Sequence, residues 1–174
     1  MTIIPLKGFI SHYNAIIIDT IESMNRYHLA QINIAQAKDS MQSPVMDGFV
    51  KRLDEINQLA EQSEGFIWRL KTEQGDATGI NAFEDDRLII NLSLWNNLDS
   101  LKHYVYQSVH IDLIQDKKHW FNKIKPAHLA LWWIPEGCIP SIEQGKQKLQ
   151  YLQNHGASAS VFTFAKPYPH PETT

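Results

Sequence analysis

Cysteine is almost missing from this chain. Cys138 is the only one in 174 residues, so no intramolecular disulfide framework and no multi-cysteine metal site can form. Long apolar runs are missing too. The longest near the start is Ala15–Ile18, far short of the roughly 20 residues that span a bilayer. Pro5, Lys7, His12 and Asn14 interrupt the apolar residues that a secretory signal would need. Basic residues are not in excess: Lys+Arg is 16 against 19 Asp+Glu, a net charge of −3. That balance speaks against a general nucleic-acid binder, whose phosphate contacts need clustered Lys and Arg. No glycine-rich phosphate cradle is present. With no export signal and a lone thiol, the expected location is the cytoplasm, away from membranes.

What is there is an ordinary globular mix, 43% hydrophobic and 20% charged, with length enough for one domain. Residues 1–25 read as an extension: either a short amphipathic helix (Phe9, Tyr13, Ile16, Ile17, Thr20, Ile21, Met24) or a start-site artefact, since Met24 stands just before the first strand. Residues 26–165 read as the folded domain, and residues 166–174 as a proline-rich, extended, mobile tail.

Alternation predicts strands over residues 27–35, 66–72, 87–95 and 128–134. Between the first two, Ser43-Pro44 opens a predicted helix with Phe49, Leu53, Ile56 and Ala60 on one stripe, stopped at Glu64-Gly65. A long helix is predicted over 97–121, and a last one from a Ser141 cap to His155-Gly156. Residues 161–164 suit a short edge strand. The order β-α-β-β-α-β plus a C-terminal helix predicts an α+β, ferredoxin-like fold.

Strand faces sharpen this expectation. Ala30, Ile32 and Ile34 with Leu88, Ile90, Leu92 and Leu94 form the face expected to meet the two crossover helices. The opposite face carries Gln31, Asn33, Asn91, Ser93 and Trp95, joined by some of Trp68, Arg69, Trp132 and Trp133. Indoles facing water and amides facing a dry core are both unfavourable. A second subunit over this face would leave an aromatic-walled cavity with a few polar groups, the usual form of a small-molecule pocket. The competing reading is a satisfied polar patch in a dimer interface with no ligand.

Several motifs together are similar to an uncharacterised bacterial domain-of-unknown-function family of the dimeric α+β barrel superfamily. They are Tyr27-His28-Leu29-Ala30-Gln31-Ile32-Asn33, Gly65-Phe66-Ile67-Trp68-Arg69-Leu70 and Asn91-Leu92-Ser93-Leu94-Trp95. Tyr104-Val105-Tyr106-Gln107-Ser108-Val109-His110, Trp120-Phe121 and Leu131-Trp132-Trp133-Ile134-Pro135 complete the set. The resemblance implies a homodimer whose two ferredoxin-like sheets pair as a barrel, and no established activity. The wider superfamily includes antibiotic-biosynthesis-type monooxygenases, haem-degrading monooxygenases, and small-molecule lyases or isomerases. The haem-degrading branch uses an asparagine on the first strand, which Asn33 matches roughly. Val105 and Gln115 stand where its helical tryptophan and histidine belong, a departure that speaks against haem. The cofactor-free monooxygenase branch oxidises electron-rich aromatic substrates, and needs neither metal nor cofactor.

The chemistry this predicts is proton transfer by His110, with Tyr106 four residues before it on one helix side and Asn91 orienting a substrate oxygen. Asn33, Trp68, Arg69, Ser93, Trp95 and Trp132 are the expected substrate-binding residues, Arg69 for a carboxylate and the indoles as walls. Each has a structural alternative: a bonded helical histidine, a dimer salt bridge for Arg69, core indoles. His103 and His110 are two turns apart, too far to share an ion easily. Glu84, Asp85 and Asp86 read as a solvated turn rather than a metal site. Cys138 has no adjacent base and is a poor nucleophile candidate. The expected function is a small-molecule enzyme, monooxygenase-like, acting on a planar or aromatic substrate. The alternative is a non-catalytic small-molecule-binding or structural homodimer module.

Overall fold

The computed structural model describes residues 27–73, 75, 77–78, 80, 82–107 and 117–171. The fold is α+β. Strand β1 (Tyr27–Ala37) is followed by two short helices, α1 (Asp47–Val50) and α2 (Leu53–Glu61), then β2 (Phe66–Arg69) and β3 (Leu88–Trp95). Helix α3 (Leu98–Gln107), β4 (Phe121–Asn122), β5 (Leu129–Pro135) and α4 (Ile142–His155) complete the order. The five strands form one antiparallel sheet. Its path runs β2-β3-β1, and the far edge of β1 is shared by β5 along Tyr27–Asn33 and β4 at Gln36–Ala37.

The predicted first helix is divided in two. Arg52 N–H bonds to Phe49 O at 3.0 Å, a three-residue step that tightens the turn and breaks the α-helical ladder. The reason lies in packing. Phe49 sits edge-on to Phe121 at 4.9 Å and against Trp120 at 6.1 Å, so α1 is held over the start of β4. The two-residue β4 departs from expectation: the sequence predicts a helix over 97–121, and Phe121 belongs instead to this strand. That helix is described as far as Gln107, and its predicted continuation through His110 lies outside the described residues. Helix α4 matches its prediction. Ser141 Oγ accepts from Gln144 N–H at 3.1 Å while Gln144 Oε1 accepts from Ser141 N–H at 3.1 Å, a capping box.

The two sheet faces are covered the opposite way from expectation. Helices α2 and α3 lie on the face of Leu29, Trp95 and Leu131, packing Leu59, Ala60, Leu98, Leu101, Tyr104 and Val105 there. The face of Ala30, Ile32, Ile90, Leu92 and Leu94 is covered by α4 through Leu149 and Leu152, with Leu70, Ile80, Ala82 and Phe83 packed on the same core. A methyl on Gly145 would stand 2.9 Å from Ile32 Cδ1, so glycine lets α4 approach β1 closely. Over Leu29–Ile32 and Leu92–Trp95 both faces are buried within a single chain, whereas Asn33 and Asn91 leave the α2–α3 face partly open. Gln31, Ser93 and Trp95 are sheltered without a second subunit.

Strand β2 shows why alternation misplaced a tryptophan. A register shift between Phe66 and Trp68 inserts Ile67 as an extra residue. Phe66 then pairs with Trp95 on the α2–α3 face, and Trp68 with Leu94 on the α4 face. An unbroken strand would put both on one side.

The chain after α4 is anchored. Phe162 exchanges main-chain hydrogen bonds with Leu131 (2.9 and 2.8 Å), a single bridge where a short edge strand was expected. Trp133 Nε1 donates to Tyr168 O at 2.9 Å, and His170 stacks on Tyr27 with centroids 6.2 Å apart. Residues 166–171 are irregular, as their prolines dictate; Tyr168 packs on the core, and the residues around it are exposed.

Candidate functional site

Among the described residues, those named from the sequence are divided between the two faces of the sheet. On the α2–α3 face, Ser93 Oγ donates to Gln31 Oε1 at 2.7 Å, and Trp95 Nε1 donates to Ser93 Oγ at 3.0 Å. Gln31 is 7% exposed, Ser93 4% and Trp95 1%. This is a chain of bonds inside the core, of the kind that makes buried polar groups tolerable. Tyr104 stacks on Trp95 at 5.1 Å and Phe66 meets it edge-on at 5.3 Å. These contacts leave Trp95 as a core residue.

Asn33 and Asn91 face each other across the β1–β3 register, the first half-buried and the second exposed. Tyr106 is 55% exposed on α3 and touches Phe164 edge-on at 5.6 Å. Arg69 bonds within the chain, through Nε to Glu61 Oε1 at 2.9 Å and through a terminal nitrogen to Gly75 O at 2.6 Å. It clamps α2 to the loop after β2. Trp68 and Trp132 belong to the opposite core. His110 lies outside the described residues. Among the described residues, no group of three His, Cys, Asp or Glu is placed to hold a metal ion. No helix among them is long and apolar enough to cross a membrane.

Burial pushes the Tyr104 phenol up to about 12, with the nearby Arg69 charge opposing the shift more weakly. A pKa raised in the folded state means that stability from the neutral phenol is complete below the ordinary value of 10.0 and is lost as pH rises through about 12. Tyr104→Phe should therefore flatten the fall of stability over that alkaline range. Circular dichroism of urea unfolding at stepped pH checks this, and an unchanged alkaline slope would count against it.

A groove lies between the free edge of β5 and α4. It holds about 460 Å³ and is lined by Trp132–Pro135 with Gln144, Gln147, Lys148, Tyr151 and Ser160. That volume falls within the ordinary range of small-molecule sites, about 300–1,000 Å³. Lys148 Nζ donates to Ser160 O at 2.9 Å, and desolvation lowers its pKa. Tyr151 is exposed and stacks on His155 at 4.4 Å. Only Trp132 among the expected binding residues lines this groove. Trp133, one of the indoles named on the polar sheet face, joins it; the helical residues escaped the sequence reading, although Gln144, Gln147, Lys148 and Tyr151 recur at helical spacing beside the buried stripe of Gly145, Leu149 and Leu152.

No curated protein and no solved structure matches this chain. Residues 28–174 match a family described as a domain of unknown function, DUF3291. The match leaves out the first 27 residues and covers every element from His28 of β1 onward. The chain belongs to the DUF3291 family.

Proposed function

We propose that this chain is a small-molecule-binding module whose ligand is a planar organic compound held in the β5–α4 groove. The observation that carries the reading is the groove itself, which puts indole, phenol, amide and ammonium groups around one open volume of about 460 Å³. Intrinsic tryptophan fluorescence tests it. Planar aromatic compounds should quench Trp132 and Trp133 saturably, and Tyr151→Ala should weaken the best of them about fivefold or more, the scale of one lost aromatic contact. Linear quenching for every compound would overturn the proposal.

Monooxygenase-like turnover of the same class of molecule is the second reading, favoured by Trp132 being shared between the expected substrate wall and the groove. Oxygen uptake with electron-rich quinols separates the two: consumption by the protein favours the enzyme, and its absence alongside saturable quenching favours binding alone. The sheet path with β1 between β3 and β5, and the crossover helices on one face, supports a ferredoxin-like arrangement within the α+β barrel superfamily. A homodimer accompanies it, as does a cytoplasmic setting in which exposed Cys138 stays reduced. Because Gln31, Ser93 and Trp95 are already covered, such a dimer would pair through helices, edges or the open part of the sheet at Asn33 and Asn91. Light scattering that finds the mass of one 20.0 kDa chain would refute the pairing.

A further inference from the structure

Antiparallel pairing directs main-chain groups alternately to the two sides of a strand. Ile34 N–H donates to His128 O at 2.8 Å, which fixes the phase along β5: even-numbered residues there bond to β1, and odd-numbered residues face the other edge. Leu131 uses that edge to bond Phe162. Trp133 is next. In the same register its partner would be Ser160, but residues 158–161 form a tight turn (Ser158 N–H to Val161 O, 2.8 Å; Val161 N–H to Ser158 O, 3.2 Å) that draws the chain aside. Trp133 is left with one donor and one acceptor directed at the groove, and no backbone hydrogen bond takes them up among the described residues. Beyond it, Pro135 has no N–H and its carbonyl accepts from Cys138 N–H at 3.1 Å. At the groove the edge therefore offers only the N–H and C=O of one residue, too few for an added strand.

Lys148 stands on the same rim, held at 2.9 Å by Ser160 O, the carbonyl of the residue that would have paired with Trp133. An ammonium has three donors, and this contact uses one. Among the described residues no carboxylate forms an ion pair with it. Its desolvation favours an anionic partner over none. Tyr151 and the apolar surface of Trp132 and Ile134 complete the walls.

Resting on the groove-binding reading above, we propose that the ligand is an N-acylated aromatic amino acid. Its amide N–H donates to the Trp133 carbonyl, its carboxylate accepts from Lys148, and its ring lies against Tyr151 and the Trp132–Ile134 floor. The probe is N-acetylphenylalanine, titrated by calorimetry against its neutral carboxamide and against phenylpropionate, which keeps the acid and lacks the amide. Each comparator should bind about tenfold or more weakly, the scale of a charge-assisted or paired hydrogen bond. Lys148→Met, checked for an unchanged melting midpoint, should bind acid and carboxamide alike, whereas Lys148→Arg should keep the preference. An acetylated tripeptide ending in phenylalanine should gain nothing over the single residue; a clear gain overturns the one-amide assignment in favour of a peptide end. Equal binding of acid and carboxamide by the unaltered protein overturns the proposal. If neutral planar compounds bind and these acids do not, this inference fails while the groove reading stands. If nothing planar binds, both fail.

Discussion

A Trp95→Ala variant is expected to lose about 3–5 kcal/mol of unfolding free energy, the usual cost of deleting a large buried aromatic side chain. Trp95 is 1% exposed, stacked on Tyr104 and met edge-on by Phe66. Removing it opens a cavity between β3 and α3 and deletes the indole N–H that donates to Ser93. The melting midpoint should fall by roughly 6–20 °C, given about 2–4 °C per kcal/mol for a chain of this size. Trp95→Phe keeps one aromatic ring and loses the N–H together with the rest of the indole's volume. Its cost should be nearer 1–2 kcal/mol, because Ser93 Oγ still donates to Gln31. Chemical denaturation of both variants gives the answer. Trp95→Ala within about 1 kcal/mol of the parent would mean that this side chain is not a structural anchor.

The second large effect is expected at Gly65, the turn between α2 and β2. Its φ is +78°, where a side chain strains the backbone. A Cβ there would also meet the Ser100 side chain, coming within 2.6 Å of its Cβ and closer still to its Oγ. Ser100 cannot simply turn away, since its N–H is held by Asn97 Oδ1 at 2.9 Å in the first turn of α3. Gly65→Ala should therefore cost about 1–2 kcal/mol for backbone strain and a further 1–3 for overpacking. The two separate in a double-mutant cycle. In a Ser100→Gly background the clash disappears and only the backbone cost should remain. Equal costs in both backgrounds would show that the contact with α3 contributes nothing.

The same residues explain how much of this architecture could be read in advance. Leu88–Trp95 announced a strand by alternation, and Ser141 with Gln144 announced the start of α4 by its capping chemistry. Alternation divides a strand into two sets of side chains. It does not say which set meets which helix when both sets can be buried. Leu29, Trp95 and Leu131 are apolar enough to attract α2 and α3, and Gln31 and Ser93 satisfy each other between them. The bulge at Ile67 reversed the face of Trp68 with no turn residue to signal it. The site was less legible for a similar reason. Lys148 and Tyr151 read as the wet side of an amphipathic helix until β5 is placed beside them, and the open main chain of Trp133 depends on where residues 158–161 turn.

The central position of β1 has a consequence for how the molecule is made. β1 is the first described strand to leave the ribosome, and its partners β3, β4 and β5 are all encoded far downstream. At about 5–20 residues per second, several seconds pass before Trp95 completes the first pairing, and more before Pro135 completes the second. Through that interval a strand rich in Ile, Leu and Ala has both edges and both faces without partners. Such long-range pairing makes for slow folding. The nascent chain should depend on holding factors at the ribosome, and its yield in expression should rise when translation is slowed in the cold or such factors are supplied.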